Sequence, residues 1–242
     1  MKICVFVYGE YREFNYAVQS WWFLKEYDCD VYFSTWDKSV QMYPKYGICI
    51  DEAITEDDIL IRIPNANVSI SSIKDYETEF PNSSEKVLFH WRKCLNMVNN
   101  KEYDYLMLTR TDNVFVPLCS NECFGEVIKN IKNNMIYGTS KLITDHLNNP
   151  HVNDVFFIGE FKTMINFINK LPYKFNILND GGSLHTNLAR YILDMNLTLE
   201  SIENYIGIRV VRPTIRAIKI DESTPQICYD KSNEWQEIKL GL

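Results

Sequence analysis

Residues 103–115 read YDYLMLTRTDNVF. Residues 105–109 form a largely apolar run of the length expected for a strand that is buried on both faces. A cation, a hydroxyl, a carboxylate and an amide follow this run directly, as Arg110, Thr111, Asp112 and Asn113. Open α/β sheets bind their ligands at the carboxyl ends of such strands, so this position predicts a functional site. The alternative is a strand end that turns into solvent, where Asp and Asn are common, but an arginine two residues before the aspartate favours the site.

The composition indicates a folded globular protein. Its 242 residues are 46% hydrophobic and 14% aromatic, which is enough to bury a substantial core and is unlike a disordered chain. The formal net charge of −7 argues against nucleic-acid binding, which depends on Lys and Arg that neutralise phosphates. The odd count of 7 cysteines is typical of reduced thiols. No run approaches the ~18 apolar residues of a membrane span, and the N-terminal apolar run is too short for a signal peptide, so we expect a cytoplasmic protein without a transmembrane segment.

The order of the predicted elements indicates an α/β fold. A strand at 2–8, a helix at 14–26 and a strand at 30–36 form a βαβ unit, whose strands lie parallel in one sheet. The pattern also predicts strands at 59–63, 105–109, 134–138, 155–159 and 208–211, and helices at 84–99, 161–171 and 184–195. Residues 65–84 and 146–153 are polar and predict loops. Because no repeat or linker divides the chain, we expect one domain over residues 1–242.

Polar residues next to two of the strands are candidates for a site. Gly9 and Arg12 follow the first strand in a turn that lacks the G-x-G-x-x-G dinucleotide-binding fingerprint. An arginine in such a turn is suited to holding a phosphate or the edge of a base. Asp154 comes directly before the strand at 155–159, where a carboxylate has either a catalytic role or the structural role of capping a turn.

Two predicted helices carry further candidates. His90, Arg92 and Lys93 lie off the apolar face of the helix at 84–99, so they are expected at the surface or in contact with a ligand. His185 lies in the first turn of the helix at 184–195. A lone histidine there is either a surface or packing residue or a ligand-binding residue.

Taken together, these residues give the chain a resemblance to the small GT-A-type glycosyltransferases of surface-polysaccharide synthesis. Four motifs carry it, in the order found in that family, over about residues 3–160. They are strand-Gly-x-x-Arg at 5–12, Tyr-Phe-Ser-Thr-Trp at 32–36, Tyr-Asp-Tyr with an apolar run and Arg-Thr-Asp at 103–112, and Asn-Asp-x-Phe-x-x-Gly at 153–159. The resemblance implies a single GT-A, Rossmann-like domain with a mostly parallel sheet flanked by helices. Residues 1–115 would form its nucleotide-binding half, and residues 116–242 its acceptor half and C-terminal tail.

The resemblance implies a metal-dependent enzyme that moves a sugar from a nucleotide-sugar donor, UDP-linked, to a glycan or a small hydroxyl acceptor. Mn²⁺ or Mg²⁺ would offset the charge that grows on the leaving diphosphate. Asp112 corresponds to the second carboxylate of the family's Asp-x-Asp and His185 to a late metal-binding histidine, so both are the expected metal ligands. Arg110 replaces the first carboxylate, and a guanidinium could itself neutralise phosphate.

Asp154 is the expected general base for the acceptor hydroxyl in an inverting reaction, whereas a retaining reaction would not require it. The expected donor-binding residues are Gly9, Arg12, Thr35, Trp36, Lys93, Arg110 and Asp112. Two other functions stay open: a non-catalytic protein of the same fold that binds a nucleotide or glycan, and a sugar nucleotidyltransferase. The latter usually has a Gly-rich, basic loop after its first strand, and the turn at 9–12 has only one glycine.

Overall fold

The chain is arranged around two neighbouring central strands, one at its N-terminus and one formed by residues 105–110. The structure, a computed structural model, describes residues 1–11, 13–43, 48–80, 85–99, 101–118, 121–144, 149–172, 183–210, 215–221 and 224–229. Its strands are β1 (Lys2–Tyr8), β2 (Asp28–Trp36), β3 (Lys38–Tyr43), β4 (Ile48–Ala53), β5 (Asn67–Ser71), β6 (Tyr105–Arg110), β7 (Asn113–Pro117), β8 (Met135–Gly138), β9 (Ile143–Thr144), β10 (Pro150–His151), β11 (Phe156–Glu160), β12 (Thr198–Ser201), β13 (Ile206–Val210), β14 (Ile215–Asp221) and β15 (Thr224–Tyr229). Its α-helices are α1 (Phe14–Ala17), α2 (Phe23–Glu26), α3 (Glu56–Leu60), α4 (Ile73–Glu79), α5 (Lys86–Met97), α6 (Asn121–Lys129), α7 (Phe161–Lys170) and α8 (Leu184–Asp194).

The main sheet has seven strands in the order β12-β8-β11-β6-β1-β2-β5. Strand β11 runs antiparallel to both of its neighbours, and the other neighbouring pairs are parallel. Strand β1 lies between β2 and β6, and its residues from Ile3 to Tyr8 are fully buried. The predicted mostly parallel α/β sheet is therefore confirmed, and β1 and β6 are apolar along their length because helices cover both faces.

Two hydrophobic layers cover the sheet, one on each face. Alternate residues of β1 point to opposite faces, as they do in any strand. Phe6 belongs to the layer that includes Trp91 of α5, Phe167 of α7 and Leu188 of α8. The opposite layer is formed by these residues: Val5 and Val7 of β1, Phe14 of α1, Phe23 of α2 and Phe124 of α6. Helix α5 is thereby fixed against the sheet, with its N-terminus near the ends of β1 and β2.

The predicted strand at 59–63 is wrong, because these residues belong to α3 and the turns after it. The backbone N–H and the hydroxyl of Thr55 both donate to the Asp58 carboxylate, at 2.8 and 2.7 Å, and so fix the start of the helix. Ile59 is fully buried, Ile63 is 8% exposed and Ile61 is 72% exposed, which is the burial pattern of helical spacing. The neighbouring prediction, a loop over 65–84, is corrected as well, since β5 and α4 lie there.

The predicted helix at 14–26 is broken into α1, a short 3₁₀ turn at Val18–Ser20, and α2. Side-chain hydrogen bonds to β7 hold the break. The Ser20 hydroxyl accepts from the Phe115 backbone N–H at 3.0 Å, and the Trp21 indole donates to the Asn113 carbonyl at 2.7 Å. Ser20 and Trp21 thus make contacts with β7 that a continuous helix would not provide.

Outside the main sheet, β13 pairs with β7, β9 with β10, β3 with β4 and β14 with β15. The predicted strand at 208–211 corresponds to β13, and the predicted loop at 146–153 contains the short strand β10. Across the part of the chain that the structure describes, no helix has the length and apolar character needed to cross a membrane.

Candidate functional site

Strand ends from distant parts of the sequence meet at one edge of the main sheet. Tyr8 at the end of β1 is in register with Ser34 of β2 and with Arg110 at the end of β6. Because β11 runs in the opposite direction, its beginning lies at the edge where β6 ends, and Phe156 pairs with Thr109. Asp154, which comes just before β11, therefore lies at the same edge as the carboxyl ends of the parallel strands.

A hydrogen bond from the Tyr8 hydroxyl to the Asp154 backbone carbonyl joins the two parts of this edge. Tyr8 is fully buried and Asp154 is 5% exposed. Burial raises the pKa of Tyr8 well above its usual value, and the negative charge of Asp154 raises it further. Tyr8 therefore keeps its proton and serves as a permanent donor to the Asp154 backbone.

Arg110 and Asp112 form a bidentate ion pair. Nε and Nη2 of Arg110 donate to the two carboxylate oxygens of Asp112, at 2.8 and 2.7 Å. The Arg110 side chain is 24% exposed and that of Asp112 is 1% exposed, so the carboxylate is the more deeply buried of the two. Burial by itself lowers the pKa of Arg110, but hydrogen bonding to Asp112 and its charge outweigh burial and raise that pKa. Arg110 is therefore a permanent cation, and its two hydrogen bonds to the buried Asp112 fix the orientation of the guanidinium.

A cavity of about 120 Å³ lies where β1, β2 and β6 end and α5 begins. Four of the expected donor-binding residues line it, namely Gly9, Trp36, Arg110 and Asp112. The other residues of its wall are Tyr8, Glu10, Lys86, Val87, His90 and Thr111. The structure thus brings these four candidates from three strand ends to one cavity.

Gly9 allows the chain to turn sharply at the end of β1. Its φ is +110°, a backbone conformation that residues with a side chain rarely adopt. Its carbonyl accepts a hydrogen bond of 2.7 Å from the Thr35 hydroxyl, and its N–H donates to the Ser34 carbonyl at 3.3 Å. Thr35 is fully buried, so in this structure its hydroxyl holds the Gly9 turn rather than lining the cavity.

Besides Thr35, two expected donor-binding residues are not part of the described cavity wall. Lys93 lies on α5 with its ammonium 5.2 Å from the centre of the Phe89 ring, and the cavity wall does not include it. Arg12 lies outside the described residues. Lys86, the first residue of α5, lines the cavity, whereas Lys93 does not.

His90 was expected at the surface or in contact with a ligand, and the surface alternative is wrong, because its side chain is 1% exposed. Its Nδ1 lies 2.8 Å from the Ser34 hydroxyl, and its ring centre lies 4.2 Å from that of Trp36. Burial lowers the pKa of His90 to about 3, and the positive charges of Lys86 and Lys93 act in the same direction. His90 is therefore a neutral residue of the cavity wall.

Sequence analysis missed Lys86 and the burial of His90, although a signal was present. Lys86, His90 and Lys93 are spaced as one face of a helix, next to the apolar face. Because this face adjoins the end of β2, the aromatic residues Trp36 and Phe89 stack there, with ring centres 5.3 Å apart. That packing covers His90, while Lys86 at the helix start reaches the cavity.

His185 lies beside Asp154. Its Nδ1 is 2.9 Å from the Val152 carbonyl and 3.6 Å from Oδ1 of Asp154, and its ring centre is 4.9 Å from that of His151. The contact with a carbonyl oxygen requires a proton on Nδ1, which points the N–H toward Val152. The expected metal ligand is thus placed with the expected base.

The described residues do not fit the divalent cation that was expected. Both oxygens of Asp112 accept hydrogen bonds from Arg110, and His185 lies beside Asp154 and does not belong to the cavity wall that includes Asp112. Among the residues that the structure describes, no three His, Cys, Asp or Glu side chains lie close enough together to hold a metal ion. Mn²⁺ and Mg²⁺ need several oxygen or nitrogen ligands, so we assign no step of the chemistry to a metal.

Comparisons with known proteins address the fold. No family model matches the chain. A segment of 75 residues, 30% of the chain, is 33% identical to the endonuclease SceI small subunit of Saccharomyces cerevisiae, and the match spans only 15% of that protein. The structure is similar to that of the galactosyltransferase LgtC, which was solved in complex with donor and acceptor sugar analogs. The TM-score is 0.50 with 11% sequence identity, over 82% of this chain and 72% of the galactosyltransferase. At this identity the similarity concerns the fold, and it confirms the predicted GT-A, Rossmann-like architecture.

Proposed function

We propose that this chain is a glycosyltransferase that moves a sugar from a UDP-linked donor to a hydroxyl group of a glycan, in the synthesis of a surface polysaccharide. One observation carries the proposal: a permanent cation, Arg110, and the buried carboxyl residue Asp154 are brought to the same sheet edge, where the Tyr8 hydroxyl bonds the Asp154 backbone. A group-transfer reaction that expels a diphosphate needs a positive charge for the leaving group and a base for the acceptor.

The cavity residues suit the donor. Arg110 and Lys86 offer cationic hydrogen-bond donors to the diphosphate. The turn at Gly9 carries no side chain, so a ligand can approach the backbone closely at the end of β1. This edge is also the position at which open α/β sheets bind nucleotides.

The proposed reaction is a single displacement. The acceptor oxygen forms a bond to the anomeric carbon while the bond between that carbon and the UDP oxygen breaks, and its electrons remain on the leaving diphosphate. Arg110 offsets the charge that grows there. Asp154 takes the proton of the acceptor hydroxyl, and His185 lies next to it, with Nδ1 at 3.6 Å from the carboxylate. Attack from the face opposite the diphosphate would invert the anomeric configuration.

The test is a screen of UDP-sugars with the purified full chain, read as release of UDP with and without glycan acceptors. We expect one donor to release UDP, faster when an acceptor is present. Release of pyrophosphate from UTP and a sugar phosphate would instead identify a nucleotidyltransferase. Nucleotide binding without turnover of any common nucleotide-sugar would identify a non-catalytic binding protein.

A further inference from the structure

The ion pair gives Arg110 and Asp112 roles that differ from those expected of them in a metal site. Both carboxylate oxygens of Asp112 face the guanidinium, at 2.8 and 2.7 Å. The aspartate is 1% exposed, whereas Arg110 is 24% exposed and lines the cavity. Of the pair, the guanidinium is therefore the group that a ligand in the cavity meets more readily.

The guanidinium has hydrogen-bonding capacity beyond the ion pair. Its Nε and Nη2 donate to Asp112, which leaves the N–H groups of Nη1 for another acceptor. Arginine binds phosphate through this kind of planar arrangement, and a guanidinium already fixed in its plane loses less entropy when the ligand binds. Asp112 thus acts on the cation rather than on the ligand.

The cavity supplies a second cation at the start of α5. Lys86 lines the cavity, and its ammonium lies 3.5 Å from the Glu77 carboxylate in an exposed pair. Exposed pairs of this kind are weak, so Lys86 can exchange Glu77 for a phosphate oxygen at little cost. Glu10 and Asp112 also belong to the wall, and their charges balance those of Lys86 and Arg110. Recognition of an anion here depends on directed hydrogen bonds rather than on an excess of positive charge.

We infer that Arg110, oriented by Asp112, binds the diphosphate of the donor in the role expected of a divalent cation, with Lys86 as a second cationic ligand. This inference rests on the proposed function, because it names the group that holds the donor. It predicts that UDP binds without a divalent cation.

The test is calorimetric titration of the full chain with UDP, in EDTA and in Mn²⁺. We expect dissociation constants in the two buffers that agree within about threefold. Arg110→Gln should weaken UDP binding at least tenfold in EDTA, because it removes the charged guanidinium and its planar set of donors. The matched control is Arg62→Gln at an exposed arginine outside the cavity, which should bind UDP like the wild type.

Arg110→Gln leaves the buried Asp112 without its cation and could unfold the chain. The double variant Arg110→Gln/Asp112→Asn removes both charges and keeps two amides that can pair, so it tests the same loss in a neutral site. We expect it also to bind UDP at least tenfold more weakly in EDTA.

The outcomes separate this inference from the proposed function. UDP binding that requires Mn²⁺ would overturn the inference and leave the glycosyltransferase proposal in place. Wild-type affinity of the folded double variant in EDTA would overturn the assignment of Arg110. A wild-type chain that binds no nucleoside diphosphate in either buffer would overturn both proposals.

Discussion

Tyr8 and Asp154 are 146 residues apart in the sequence and are joined by a hydrogen bond from the Tyr8 hydroxyl to the Asp154 carbonyl. Tyr8 ends the central strand β1 and lines the cavity, while Asp154 comes just before the antiparallel strand β11. Because both residues are buried, water does not replace this bond when it is lost. The bond therefore sets the distance between the proposed base and the donor site.

The first prediction concerns this bond. Tyr8→Phe should lower the free energy of unfolding by about 1–3 kcal/mol, because it leaves a buried carbonyl without its donor. It should also lower the rate of transfer to acceptor by displacing Asp154. The measurements are urea denaturation and UDP release.

Tyr32→Phe is the matched control, since the Tyr32 hydroxyl bonds that of Tyr103 at 2.7 Å, close to the other edge of the sheet. It should lower stability to a similar extent without lowering the rate. Equal loss of activity in both variants would show that Tyr8 acts through stability alone.

The second prediction concerns Asp154. Asp154→Asn should lower turnover with acceptor by ~10²-fold or more and leave UDP affinity nearly unchanged, because the amide cannot accept the hydroxyl proton. Steady-state rates and calorimetry measure the two effects. Asp194→Asn, at an exposed aspartate that ends α8, is the control and should behave like the wild type. Turnover that survives in Asp154→Asn would favour a retaining reaction, and a parallel loss of UDP affinity would make Asp154 a donor-binding residue.

The third prediction concerns the pH dependence of stability through His90. The pKa of His90 is about 3 in the folded chain and near its ordinary 6.5 when unfolded, so below pH 6.5 the unfolded state binds the additional proton. Stability should therefore fall as the pH falls from 6.5 toward 3. His90→Asn removes this titration while its amide can still reach Ser34.

The measurement is the free energy of unfolding at pH 6.5 and pH 4.5 for both proteins. Between these pH values, the wild type should lose about 2 kcal/mol more than His90→Asn. Other titrating groups contribute to both proteins and cancel in the comparison. The same loss in both would show that His90 is not held neutral in the folded state.

The fourth prediction concerns the turn at Gly9. Gly9→Ala should destabilise the chain by about 1–3 kcal/mol, because φ of +110° is strained for alanine. Space is not the reason, since the nearest atom to an added Cβ, Oγ1 of Thr111, is 4.0 Å away. Gly207→Ala on β13 is the control: its added Cβ would lie 3.6 Å from that of Val116, an ordinary contact. Urea denaturation should show the larger loss for Gly9→Ala, and equal losses would contradict the role of the backbone.

Prediction from the sequence was correct where a local run of apolar residues determines a buried strand. The apolar runs of β1 and β6 have the length and character of strands covered on both faces, and the structure places both at the centre of the sheet. The polar residues that follow β6 were proposed as a site from the same pattern, and the structure places Arg110, Thr111 and Asp112 in the cavity wall. Asp154 was proposed as a site residue from its position before an apolar run, although that run does not encode the direction of β11, which brings Asp154 to this edge of the sheet.

The incorrect predictions concern residues whose structure depends on contacts that the pattern of apolar and polar residues does not show. The apolar run Ile59-Leu60-Ile61, followed by Ile63, has the composition of a strand, but hydrogen bonds between Thr55 and Asp58 start a helix there. His90 is polar, yet packing against Trp36 buries it. The bond between Arg110 and Asp112 depends on how a strand end turns, so the sequence spacing was equally compatible with a metal ligand and with an ion pair.

The central position of β1 also affects the nascent chain during its synthesis. Strand β1 leaves the ribosome before the other strands of the main sheet, and β2 can pair with one of its edges soon afterwards. Its other edge pairs with β6 and stays open until residues 105–110 have been made. An apolar strand with an open edge is a template for pairing with other chains. Until β6 has been made, the open edge of β1 therefore exposes the nascent chain to aggregation and to the action of chaperones.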